Sequence, residues 1–116
     1  MPLLRLLAVG GIATLAAGCG KSLEERYQVA LVCERFSDLL ADARVQPLLP
    51  DDRPDYQRIH ALWALELNTT AQKLGIDQIR LLDDRYTATD FFWRSAEQAA
   101  EEAAIKYDAY GCAKLP

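Results

Sequence analysis

The chain has 116 residues, which is enough for one small domain but not for two. Its net charge of −4, from 17 acidic and 13 basic side chains, argues against nucleic acid as a partner. Charges of both signs are spread along the chain, so the acidic balance indicates a solvated surface rather than an acidic docking site.

The first residues have the layout of a signal peptide. One positive charge, Arg5, precedes an apolar run from Leu6 to Ala17 that ends in small residues. About 20 apolar residues are needed to cross a bilayer, so this run is too short for a transmembrane helix, and no second such run follows. We therefore predict that residues 1–18 are a cleaved signal peptide and that the mature protein has no transmembrane helix.

The residues Leu15-Ala16-Ala17-Gly18-Cys19 resemble the lipobox of bacterial lipoproteins. The resemblance covers only this N-terminal part, and it departs from the usual pattern at Ala16, where leucine is more frequent. It implies that Cys19 carries a diacylglyceryl group, becomes the first residue of the mature chain and holds the protein to a membrane. Because Gly20 rather than aspartate follows, the sorting rule of the family implies the outer membrane, with the protein facing the periplasm. Apart from this covalent lipid, no cofactor is expected.

The cysteine count supports lipidation of Cys19 over two alternatives, an ordinary signal peptide cleaved nearby and an apolar N-terminal helix packed in the core. An odd number of cysteines in an exported protein leaves one unexplained, and lipidation leaves Cys33 and Cys112 as a pair. An oxidising periplasm favours a disulfide between these two. The bond would close a loop of about 80 residues and stabilise the fold by about 4 kcal/mol. Two buried free thiols are the alternative.

A first helix is predicted to begin just after a short tether that follows the lipidated cysteine. Residues 19–22 comprise the lipidated cysteine and this short tether, so the helical domain, residues 23–116, should lie close to the membrane. Ser22 and Glu25 fit a capping box, and three prolines between Gln46 and Pro54 end the helix and mark the main interhelical loop. The predicted buried stripe has spacings of three and four and consists of Val29, Cys33, Phe36, Leu40 and Ala43.

A second helix is predicted from Pro54 or Asp55 to Leu74, with Gly75 in position to end it. The only histidine, His60, lies on its apolar face, where a hydrogen-bonded structural histidine is favoured over a catalytic base. The predicted core face consists of Tyr56, Ile59, His60, Leu62, Trp63, Leu67, Thr70 and Leu74.

The segment from Ile76 to Tyr110 keeps a helical spacing throughout, so it reads either as one helix or as two. A continuous helix in an up-down-up arrangement would place Cys112 nearly 40 Å from Cys33, too far for a disulfide. We therefore predict a break between Asp83 and Thr87, with Thr87 capping a final helix that holds Asp90 in its first turn and ends at Gly111. The predicted stripe consists of Ile79, Leu82, Tyr86, Thr89, Trp93, Ala96, Ala100, Ala103, Tyr107 and Tyr110. The expected fold is an all-α bundle of three to four helices, the third short, joined by one disulfide.

Catalytic and metal-binding motifs are not recognisable in the sequence. The serines Ser22, Ser37 and Ser95 lie in a helix cap or in helical stretches without a nucleophile-elbow motif, so an enzyme is not expected. With one histidine there are too few ligands for zinc or haem, and the aspartates near Asp51 and Asp83 do not match a calcium-binding loop.

Two functions are left for the mature chain, which carries a net charge of −5 because Arg5 is removed. The first is a protein-binding module of the bacterial envelope, like the exclusion, immunity, inhibitor and secretion-accessory lipoproteins. The second is a small-ligand carrier with an apolar cavity lined by Trp63, Phe92 and Trp93. A homodimer is also possible, since the alanines of the final helix form either a tapered core or a face for a partner helix or second copy. The predicted partner contacts are Leu48, Leu49, Tyr107 and Tyr110.

Overall fold

The computed structural model describes residues 21–88 and 95–116, and these residues form four α-helices. The predicted all-α bundle is therefore confirmed. The signal peptide, Cys19 and the start of the tether lie outside the described residues and stay predictions. The helices are α1 (Leu23–Ala41), α2 (Tyr56–Leu74), α3 (Gln78–Ala88) and α4 (Ala96–Ala109), with a short 3-10 helix, Gln46–Leu48, between α1 and α2.

Local capping signals set the start of α1 and both ends of α2, as predicted. The Ser22 hydroxyl accepts a hydrogen bond from the Glu25 amide, and the Glu25 carboxylate accepts one from the Ser22 amide. Asp55 caps the start of α2, and Gly75 ends it in the left-handed conformation (φ 73°) that favours glycine. Ala43, which was expected on the buried stripe of α1, lies beyond the end of that helix and is exposed.

The two long helices pack antiparallel and form the main part of the core. Arg26 near the start of α1 contacts Glu66 in the second half of α2, and Glu34 contacts His60 in the first half. Helix α1 also contacts α3 and α4, so it is the central helix of the bundle. The most completely buried large side chains are Tyr27, Leu31, Cys33, Leu40, Thr70 and Cys112.

The alanine-rich face of α4 belongs to the core. Ala99, Ala100 and Ala103 are all buried, and α4 packs on α1. Small side chains let the two helices approach closely. These three alanines are core residues, whereas Ala96 and Ala104 of the same face are half-buried.

The predicted disulfide between Cys33 and Cys112 is present. The two Cα atoms lie 5.3 Å apart, and both side chains are fully buried. The indole nitrogen of Trp63 donates a hydrogen bond to the Cys112 carbonyl at 3.0 Å, so the segment after α4 is fixed to α1 by a covalent bond and to α2 by a polar contact.

The predicted break between Asp83 and Thr87 is wrong. Helix α3 continues through these residues to Ala88, and the Thr87 hydroxyl donates to the Asp83 carbonyl within the helix instead of capping α4. Ser95 provides the N-cap of α4, since its hydroxyl accepts a hydrogen bond from the Gln98 amide. Asp90, predicted in the first turn of the final helix, lies outside the described residues. The chain thus still divides into a short third helix and a fourth helix, but the division is later than the spacing suggested.

Candidate functional site

Helix α3 is oriented differently from the prediction. Among residues 78–87, whose exposure is described, Leu81 is the buried side chain, with 7% of its surface exposed. Ile79, Leu82 and Tyr86 were predicted to face the core, but they are exposed by 83%, 55% and 73%. These three side chains follow one another at spacings of three and four, so they share one face of the helix. We refer to them as the α3 outer face.

Polar contacts turn the opposite side of α3 toward α1. The hydroxyl of Tyr27, a fully buried residue of α1, donates a hydrogen bond of 2.7 Å to Asp84. Burial of the ring and the hydrogen bond to the Asp84 carboxylate raise the pKa of Tyr27 well above its usual value. Asp84 also pairs with Arg80, one helical turn earlier, at 3.4 Å. The phenol is therefore held in its protonated form, as a hydrogen-bond donor to α3.

A buried carboxylate joins three helices next to this contact. Glu34 of α1 is 4% exposed, and its two oxygens accept hydrogen bonds from the Arg85 guanidinium of α3 at 3.2 and 3.0 Å. His60 Nε2 of α2 lies 2.9 Å from Glu34 Oε2 and 4.0 Å from Asp38 Oδ1. A buried carboxylate needs such partners because its desolvation is otherwise unfavourable. The hydrogen bond expected for His60 is thus present, and its acceptor group is Glu34.

This charged cluster acts by joining helices. The nearby Ser37 hydroxyl is buried and donates to the Cys33 and Glu34 carbonyls, so it is engaged by the backbone of its own helix. Within the described ranges, no group of three or more histidine, cysteine, aspartate or glutamate side chains is arranged to hold a metal ion. The chemistry that the cluster supports is the positioning of α3 against α1 and α2.

A groove lies where the described chain begins. It has a volume of about 440 Å³ and lies beside α1 and α2. Arg26 and Glu66 form a paired contact in its wall, with two hydrogen bonds of 3.0 Å each. Its other lining residues are Lys21, Val29, Trp63, Lys114, Leu115 and Pro116.

Three cavities in the described part of the chain are open grooves lined by charged as well as apolar side chains. Two further grooves, of about 480 and 580 Å³, lie beside the interhelical loop and beside the start of α4. Trp63, predicted to line a ligand cavity, is 4% exposed and bonded to Cys112, so its ring is mainly a core side chain. Phe92 and Trp93 lie outside the described residues. The carrier function stays a prediction, and these grooves do not favour it.

The four predicted partner contacts do not form one surface. Leu48 and Tyr110 are exposed by 44% and 47%, whereas Leu49 is half-buried and packs against the core. Tyr107 is 4% exposed and packs edge-to-face on Tyr56, with ring centroids 5.4 Å apart. Burial raises the pKa of its hydroxyl, which has no hydrogen-bond partner among the described residues. Tyr107 is therefore a core residue rather than a surface contact.

The sequence did not predict the α3 outer face or the charged cluster around Glu34. The available signal was the density of charge in α3, since four of its eleven residues are Arg80, Asp83, Asp84 and Arg85. A helix with so many charges has few apolar residues to bury, and its charged side can face the core only where partners are present. Those partners, Tyr27 and Glu34, lie more than 50 residues earlier in the sequence.

Comparison with known protein families, with curated proteins and with solved structures found no match for this chain. Nor does any helix in the described ranges have the length and apolar character needed to span a bilayer.

Proposed function

We propose that this protein is a lipid-anchored protein of the bacterial envelope and that its helical domain binds another protein through the α3 outer face. The lipobox-like residues 15–19 support the anchor at Cys19 and, with Gly20 after it, a place at the outer membrane facing the periplasm. The disulfide between Cys33 and Cys112 is typical of exported proteins. It also leaves Cys19 as the single cysteine available for a lipid.

The observation that carries the proposal is the exposure of Ile79, Leu82 and Tyr86 together on one short helix. Single exposed apolar residues are common on protein surfaces and need no explanation. Three that share a helix face, including a tyrosine, have the spacing by which a helix is recognised in a partner's groove. Leaving them exposed is unfavourable for the isolated domain, so we infer that a partner covers them.

Charge indicates the chemistry of this partner. Asp83 lies next to Leu82, one helical turn after Ile79, and is exposed. The chain from Cys19 onward has a net charge of −5. A partner with an apolar groove flanked by lysine or arginine would complement both the apolar side chains of the face and its acidic surroundings.

A second copy of the chain fits the face less well than a different protein. Two acidic copies repel each other at long range, and each would place Asp83 near the contact. A stable interface buries about 800 Å² on each partner, and three side chains of this size supply roughly half of that. The partner must therefore reach beyond α3 onto neighbouring surface, and we propose that it is a different envelope protein.

Binding can be tested by crosslinking and by affinity. A photoreactive residue in place of Leu82 should crosslink in cells to one envelope protein, which mass spectrometry identifies; the same residue in place of Leu65, an exposed leucine of α2, is the control. With that protein purified, Leu82→Glu should weaken binding by about tenfold or more, because a charge enters the apolar contact. The matched variant Leu65→Glu should leave the affinity unchanged.

Three results would contradict the proposal. Equal affinities for wild type and Leu82→Glu would show that the face is not the contact. Crosslinks only between copies of this chain would show a homodimer instead. Crosslinks to lipid at position 82 would show that the face lies on the membrane.

A further inference from the structure

The groove of about 440 Å³ combines basic and apolar side chains in an otherwise acidic protein. Lys21, Arg26 and Lys114 line it, whereas Glu66 is its one acidic lining residue. The Glu66 carboxylate is engaged by the Arg26 guanidinium through two hydrogen bonds of 3.0 Å. The side chains that line the groove thus keep an excess of positive charge, carried by Lys21 and Lys114.

Three acidic residues at the starts of α1 and α3 do not line the groove. Glu25, in the first turn of α1, accepts the hydrogen bond from the Ser22 amide in the capping box. Asp77 accepts a hydrogen bond from the Arg80 amide at the start of α3. Neither carboxylate lines the groove, and Glu24 likewise lies outside it.

The short segment between Cys19 and Lys21 limits the distance between the groove and the lipid anchor. Lys21 is two residues after Cys19, so its Cα lies at most about 7 Å from that of the lipidated residue. The screening length of charge at physiological salt is about 8 Å. A lipid on Cys19 therefore places the groove within electrostatic reach of the phospholipid headgroups. Leu115, which is 38% exposed, adds an apolar side chain to the same lining.

We propose that this groove is a contact site for the headgroups of anionic phospholipids. The proposal rests on the lipid anchor of the proposed function. Lys21 and Lys114 bind the phosphates, and Leu115 contacts the apolar part of the interface. This second contact orients the domain on the membrane, because a lipidated residue alone leaves the domain free to rotate about its short tether.

The test uses the full chain, expressed with its own signal segment in a bacterial host and purified from membranes. The protein is reconstituted into vesicles of phosphatidylcholine, with or without phosphatidylglycerol. A membrane-impermeant, amine-reactive reagent then labels the lysines, and mass spectrometry reads the rate at each position. Lys106, an exposed residue of α4 outside the groove, is the internal control.

On anionic vesicles we expect Lys21 and Lys114 to be labelled about fivefold more slowly than on neutral vesicles, the factor typical of one lysine held at an anionic surface. High salt should remove the difference, and Lys106 should react equally on both. In Lys114→Gln, but not in Lys106→Gln, the protection of Lys21 should decrease.

Equal labelling on both kinds of vesicle, with acyl mass present on Cys19, would overturn the headgroup contact and leave the anchor intact. Protection by soluble glycerol phosphate without vesicles would also overturn it, because the groove would then bind a free anion. A Cys19 peptide without acyl mass would contradict the proposed lipoprotein and, with it, the membrane contact. The mass of that peptide, measured in the same digest, separates the two failures.

Discussion

The α1–α2 pair and helix α3 are held in place by different interactions. Between α1 and α2 the contact is mainly apolar, and the disulfide from α1 to the segment after α4 is fully buried beside it. Among residues 78–87, helix α3 contributes one buried apolar side chain, Leu81, and it is otherwise fixed by a hydrogen bond to Tyr27 and an ion pair with Glu34.

The difference shows how one small bundle can combine a stable core with an exposed apolar surface. The free energy gained by burying apolar side chains is proportional to the buried area and does not fix a particular orientation of the helix. Hydrogen bonds, in contrast, require specific partners. Because polar contacts fix the inner side of α3, its apolar residues need not point inward. The helix can then present Ile79, Leu82 and Tyr86 to a partner without loss of the fold.

The largest expected effect concerns the disulfide. Replacing Cys33 and Cys112 by serine should lower the free energy of unfolding by about 4 kcal/mol, because the unfolded chain regains the conformational entropy that the disulfide removes by closing a loop. Urea unfolding followed by circular dichroism measures the change, and the reduced wild-type protein is the control. A loss below about 1 kcal/mol would show that apolar packing alone holds this region.

A matched pair of substitutions tests the orientation of α3. Leu81→Ala should lower the free energy of unfolding by about 2 kcal/mol or more, because it leaves a cavity at a buried site. Leu82→Ala, one residue away, should change it by less than about 0.5 kcal/mol, because that side chain is exposed. The opposite order in chemical unfolding would mean that α3 faces the core as its spacing first suggested.

A smaller effect is expected at the polar contact. Tyr27→Phe should lower the free energy of unfolding by about 1 kcal/mol, since the Asp84 carboxylate loses its hydrogen bond but remains partly solvated. Amide hydrogen exchange should show faster opening of α3 than of α1 and α2 in this variant. Tyr86→Phe, at an exposed tyrosine of the same helix, should match the wild type.

The contact with Asp84 also has a pH signature. The pKa of Tyr27 is higher in the folded than in the unfolded protein, so its contribution to stability is fully present below about pH 10, the usual tyrosine pKa. It is lost as the pH rises above that value, because the unfolded chain releases the proton first. The stability of the wild type should therefore fall more steeply above pH 10 than that of Tyr27→Phe. Parallel curves would contradict the raised pKa.

Most of the fold could be predicted, because its signals are local. The capping box at Ser22, the N-cap Asp55 and Gly75 each act within a few residues of the helix end that they set. The disulfide followed from the cysteine count once Cys19 was assigned to the lipid, and it confirmed that the chain must return to α1. The end of α3 was misplaced because Thr87 and Ser95 are both suitable caps, and spacing alone does not choose between them.

The sequence by itself thus determined the helical class, the two long helices and the cysteine pair. Only the tertiary structure decided which side of α3 faces the core. Apolar spacing marked Ile79, Leu82 and Tyr86 as buried, but Asp84 and Arg85 occupy the inner side because their partners on α1 are there. Tyr27 and Glu34 lie 57 and 51 residues away from them along the chain. Helical periodicity is a property of one segment at a time. It therefore contains no information about a buried hydroxyl or carboxylate on another helix, although such a group can turn the charged side of a helix inward.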